Sequence, residues 1–137
     1  NSLNENTEKE MGAYRLYNVV PPLLSFVEEL TNTYIRFNRS HFWANGMPED
    51  KRLAYETLYH VLVTLSKVMA PFAPFLSETI FQNLKGVLPK ATESVHLEDF
   101  PGFDSRLKRP ELEEAVKAMD ALVTLGRNHR EKIKVKA

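Results

Sequence analysis

The spacing of apolar residues between Pro48 and Pro71 leaves little freedom in the choice of fold. Leu58, Val61, Leu62, Leu65, Val68 and Met69 recur at intervals of three and four, the repeat of a helix that buries one face. Tyr55 and Tyr59 flank that stripe. Pro48 with Glu49 and Asp50 has the form of a helix start, and Pro71 ends the helix at about Ala70. Nowhere does the chain show the sustained period-2 alternation of a strand. The fold class these patterns predict is all-α, a bundle of four to five helices.

The same period recurs on both sides. Leu23, Phe26, Val27, Leu30, Tyr34 and Phe37 form one stripe of a helix expected from about Pro22 to Arg39, after a helical turn or two in "AYRLYNVV". Pro21-Pro22 is expected to kink that join, because neither supplies an N–H and the second disfavours helical backbone at the first. Asn45-Gly46 is a turn. Beyond the corner "APFAPFL", Pro74 suits the first position of a helix reaching about Leu84, with Leu76, Ile80, Phe81 and Leu84 inward and Gly86 as its cap. Residues 85–110 read as irregular, with "SVHLEDF" as a short extended piece. A last helix starts near Pro110-Glu111. Its stripe is Leu112, Ala115, Val116, Met119, Leu122 and Val123, and it closes on Gly126 and the basic tail "RNHREKIKVKA".

A chain of 137 residues can bury the core of one domain. No apolar run approaches the roughly 18–20 residues that cross a bilayer. The opening "NSLNENTEKEM" is polar and acidic, unlike a signal peptide, and does not begin with Met. Residues 1–13 are therefore expected to be a polar leader and 14–137 the helical domain, within a fragment or processed product. Cysteine is absent, which removes disulfides and thiolate chemistry and fits a reducing compartment.

Little points to catalysis. His41, His60, His96 and His129 have no partner at the spacing zinc requires on a helix. His60 and Glu56 read as a surface i, i+4 pair. Glycine-rich phosphate loops and nucleophile elbows are missing, and Glu28-Glu29 and Glu113-Glu114 diverge on their helices. No catalytic residue, metal ligand or cofactor site is assigned, so an independent small enzyme is disfavoured.

A binding surface is better supported. At about 100° per residue, Asn32, Arg36, Arg39 and Trp43 fall within roughly 60° of each other, opposite the apolar stripe. Cations hold phosphates, aromatics stack on bases and amides read base edges. Two plainer readings stay open: cations suit a helix C-terminus for dipole reasons, and Trp43 can anchor the turn from within the core. The formal net charge is zero, but Arg127, Arg130, Lys132, Lys134 and Lys136 stand against Glu131 alone in the last eleven residues. RNA contact would then be confined to one face.

"YRLYNVVPPLLSFVEELTNTYIRFNRSHFW" and "AYETLYHVLVTLSKVMAPFAPFLSETIFQNL" resemble the anticodon-binding domain of class Ia aminoacyl-tRNA synthetases. "SVHLEDFP" and "LGRNHREKIKVK" resemble the isoleucyl members, of the eukaryotic cytosolic type. The resemblance spans about Tyr14 to Lys136. It implies a helical bundle that docks on the anticodon stem and loop of tRNA(Ile) and follows a catalytic domain of the same polypeptide, in a cytoplasmic enzyme using ATP and Mg for isoleucylation. It carries tRNA contact to Asn32, Arg36, Arg39 and Trp43, and to Arg127, Arg130 and Lys134. The H-I-G-H and K-M-S-K-S signatures and the editing domain are missing, so the chain alone should be inactive, with the domain truncated at its C-terminal end. Thr33 stands where the family often has tryptophan, and His41 where arginine or lysine is common. Both departures weaken an unchanged transfer of contacts. The alternatives are a scaffold whose exposed Phe42 and Trp43 meet another domain, or the corresponding domain of a valyl, leucyl or methionyl synthetase.

Overall fold

Six α-helices carry the fold among the described residues, 1–87 and 92–135 of the computed structural model: α1 (Ser2–Gly12), α2 (Val20–Glu29), α3 (Arg39–Phe42), α4 (Glu49–Met69), α5 (Pro74–Leu84) and α6 (Pro110–Lys132). There is no strand among these residues. Pro89 in the expected irregular stretch, and Lys136 in the basic tail, lie outside them. The chain divides into two compact units, Asn1–Phe103 and Asp104–Ala137.

In the first unit the predicted α4 stripe is buried at Leu65 and Val68 and half-buried at Leu58, Val61, Leu62 and Met69, while Ala54, Val63 and Ser66, outside the stripe, are buried as well. Leu65 and Val68 are buried with Val19 and Leu23, and Leu3, Met11, Phe26, Val27, Met69 and Phe72 close around them. Ala70, Phe81 and Val95 form a second cluster. Two tyrosines tie α4 to its neighbours by donating to main-chain carbonyls, Tyr34 to Ala54 and Tyr59 to Leu84, each at 3.1 Å.

The polar leader is a helix. Asn4, Thr7 and Glu10 are the buried residues of α1, one face at i, i+3, i+6 that carries no apolar signal. The Glu10 carboxylate accepts two bonds from Arg15, at 2.7 and 2.8 Å, and a third from Asn18 at 2.8 Å. Helix α1 ends with Tyr14 in the left-handed region, φ 57°. There Tyr14 N–H donates to Met11 and Arg15 N–H to Glu10, the paired bonds of a Schellman close.

The expected extended piece at "SVHLEDF" is instead a 3₁₀ turn, Val95–Leu97, capped by the Ser94 hydroxyl. Two carboxylates hold it in place. Glu78 accepts from the Ser94 hydroxyl and the Val95 N–H, both at 2.9 Å. Glu98 accepts from Lys67 at 2.6 Å and from the Thr92 N–H and hydroxyl at 2.8 and 2.7 Å. These donors pull Glu98 from the ordinary 4.5 to about 2, Lys67 contributing most. Because both ends must be folded to meet, no local pattern announces the pairing. Within α4, Glu56 pairs at i, i+4 spacing with Arg52 rather than the expected His60, whose ring instead packs edge-on against Tyr59.

Three further expectations are corrected. Leu76 is exposed, while Ser77 and Phe81 turn inward from α5. Gly86 does not cap α5, which runs into a 3₁₀ turn at Lys85–Val87. Gly126 does not end the last helix either: α6 continues to Lys132, absorbing the penalty of about 1 kcal/mol for an interior glycine. It stops where Lys134 adopts φ 55°, with Lys134 N–H donating to Glu131 and Val135 N–H to Arg130. No residue of α6 is buried. Among its described residues the second unit holds no other α-helix on which Leu112, Val116, Met119 and Leu122 can pack.

Candidate nucleic-acid interface

The segment from α2 to α3 is not one α-helix. From Leu30 to Ile35 it winds as a π turn, in which each N–H reaches five residues back instead of four. One residue is thereby added to the turn, and everything downstream is rotated by about 100° from its α-helical direction. The burial pattern records that shift. Leu23 and Leu30 lie inward as expected, but Phe37 is 56% exposed and Phe42 is only 8% exposed. Phe42 meets Tyr34 and Tyr55 edge-on, with ring centroids 6.4 and 5.1 Å apart. The expectation that Phe42 is an exposed docking aromatic is therefore corrected. Periodicity missed this because the apolar pattern alone does not show where an extra residue enters.

The four residues of the polar arc, Asn32, Arg36, Arg39 and Trp43, are all exposed. Trp43 is 68% exposed, so it is not a core anchor beneath the turn. The Arg39 guanidinium lies 5.3 Å from the centroid of its ring, within cation–π range. Neither Arg36 nor Arg39 has a carboxylate partner among the described residues. His41 turns the other way, half-buried, with Nδ1 3.9 Å from Asp50 Oδ2. It lines a concavity of about 230 Å³ with Tyr34, Asn38, Asp50, Leu53, Ala54 and Thr57. Thr33 is half-buried.

In the second unit Arg127 and Arg130 lie on the last turns of α6, and Lys134 occupies the left-handed position just past its end. Arg127 and Arg130 line a concavity of about 430 Å³ with Val123, Gly126, Glu131 and Val135. The helix end itself adds partial negative charge that cations there offset.

Among the described residues no three His, Asp or Glu side chains are placed to hold a metal ion. None of their helices is long and apolar enough to cross a membrane. What the surface offers is exposed guanidinium, amide and indole groups, the set that grips phosphates and stacks on unpaired bases.

The chain belongs to the anticodon-binding domain family of tRNA ligases, whose family model matches residues 1–137. Within that class it is similar to isoleucine–tRNA ligases. The one from Bdellovibrio bacteriovorus is 72% identical over 137 residues, covering all of this chain. Those from Clostridium tetani and, as the cytoplasmic enzyme, Saccharomyces cerevisiae are each 42% identical, over 99% and 96% of the chain. The eukaryotic cytosolic type is thus not supported, since the bacterial sequence is far more similar than the yeast one. The chain spans 13% of the length of each of these relatives.

Proposed function

We propose that this domain binds the anticodon stem and loop of tRNA(Ile), in support of ATP-dependent isoleucylation by a longer, cytoplasmic protein that contains it. Aminoacylation, with its ATP and Mg, belongs to the catalytic domain of that same polypeptide. The observation that carries the reading is the outer arc of the α2–α3 segment: an uncommitted Arg36 beside Arg39 and Trp43 in cation–π contact. Phosphates would be held by Arg36 and Arg39, an unstacked base by Trp43 and base edges by Asn32. Arg127, Arg130 and Lys134 would add phosphate contacts. Binding driven by phosphate neutralisation falls steeply as salt rises.

The test is titration of labelled tRNA(Ile) beside an unrelated RNA, at low and moderate salt. Arg36→Ala and Arg39→Ala should each weaken binding by about 1–3 kcal/mol if the contacts are charge-assisted. Wild-type affinity in both variants would remove the arc from the interface, and flat, salt-insensitive titrations would favour a protein-interaction scaffold. That alternative has lost Phe42, which is buried.

A further inference from the structure

The π turn that rotates the arc has an identifiable latch. At the junction of α2 with the π turn the helical ladder is shared, the Leu30 N–H donating to both the Phe26 and the Val27 carbonyl. The Thr31 hydroxyl sits at that junction, 3.0 Å from the Val27 carbonyl and 3.0 Å from the Glu28 carbonyl. Thr31 is otherwise exposed and belongs to no apolar cluster. A threonine bonded back in this way ordinarily bends a helix slightly. Here it accompanies a change of register. Downstream of it Phe37 faces out and Phe42 faces in, so Arg36, Arg39 and Trp43 point where a π-turned backbone sends them.

We propose that Thr31 is a positioning residue: its hydroxyl, shared between the Val27 and Glu28 carbonyls, stabilises the π turn and thereby sets the direction in which Arg36, Arg39 and Trp43 meet RNA. Thr31 needs no RNA contact for this. The inference rests on the arc being the RNA-facing surface, and its test separates the two.

Binding of tRNA(Ile) is measured on the full chain for Thr31→Val, Thr31→Ser, Arg36→Ala and the double variant Thr31→Val/Arg36→Ala. Valine keeps the shape and removes the hydroxyl. The expected result is roughly tenfold weaker binding for Thr31→Val, near-wild-type binding for Thr31→Ser, and a double variant weaker than wild type by less than the product of the two single effects. Circular dichroism and the melting temperature check that the exposed substitution leaves the fold in place. The proposal is overturned if Thr31→Val binds like wild type while Arg36→Ala is impaired. It is equally overturned if serine fails to restore binding, or if the two single effects multiply in full. Unimpaired binding by Arg36→Ala would instead remove the arc reading, and the role of Thr31 with it.

Discussion

The guanidinium of Arg39 lies 5.3 Å from the centre of the Trp43 ring, and both side chains are exposed. The contact holds a cation and an aromatic face side by side on the outer surface of the domain. Trp43 is the one tryptophan in the chain, so its emission reports on this place alone. Adding tRNA(Ile) should quench Trp43 fluorescence as a base stacks on the ring, and raising salt should reverse the quenching. Trp43→Ala should change folding stability by no more than about 0.5 kcal/mol, as expected of an exposed site, while weakening binding. Unchanged emission at saturating tRNA would exclude Trp43 as a stacking platform.

The Lys67–Glu98 pair fastens the 92–98 loop to α4 across 31 residues of sequence. Glu98 has a folded pKa near 2, below its ordinary 4.5, so the folded state favours its ionised form. The resulting stability is complete above the unfolded carboxyl pKa and is lost as pH falls through the folded one. Glu98→Gln should destabilise the protein by about 1–2 kcal/mol at pH 7. That deficit should shrink as pH falls from about 4.5 toward 2, measured by denaturant titration of both proteins. A deficit independent of pH would show that the carboxylate charge does not hold the loop.

Tyr14 occupies the left-handed position that closes α1, at φ 57° and 91% exposed. A non-glycine residue there costs about 1 kcal/mol in backbone sterics, and nothing buried is lost on removing the ring. Tyr14→Gly should therefore stabilise the fold by about 0.5–1 kcal/mol. The β-branched Tyr14→Val should do the reverse. Urea denaturation midpoints distinguish them, and a destabilised glycine variant would mean that the exposed ring has a folding role.

Phe37 and Phe42 have exchanged the places that a straight helix would assign them. Phe42→Ala should cost about 3–5 kcal/mol, as for other buried aromatics. Phe37→Ala should cost about 0.5 kcal/mol or less, as an exposed site does. Comparable losses at the two positions would contradict the register change between Leu30 and Ile35.

The periodic stripes were enough to predict the helical class, the long α4 and the start of α5 at Pro74, because burying one face of a helix writes its period into the residues themselves. They also placed Asn32, Arg36, Arg39 and Trp43 on the solvent side. A repeat carries no record of where the backbone changes hydrogen-bond register, so the π turn, the burial of Phe42 against Tyr34 and Tyr55 and the exposure of Phe37 were visible only in the folded structure. Helix α1 was illegible for a different reason: its buried face is Asn4, Thr7 and Glu10, and the Glu10 carboxylate is acceptable inside because Arg15 and Asn18 satisfy it from beyond the helix end. The hold of Lys67 and Thr92 on Glu98 likewise exists only once distant segments meet. Local pattern determined which residues could be helical and which faces were apolar. Tertiary packing chose their rotation and supplied the partners that make buried carboxylates stable.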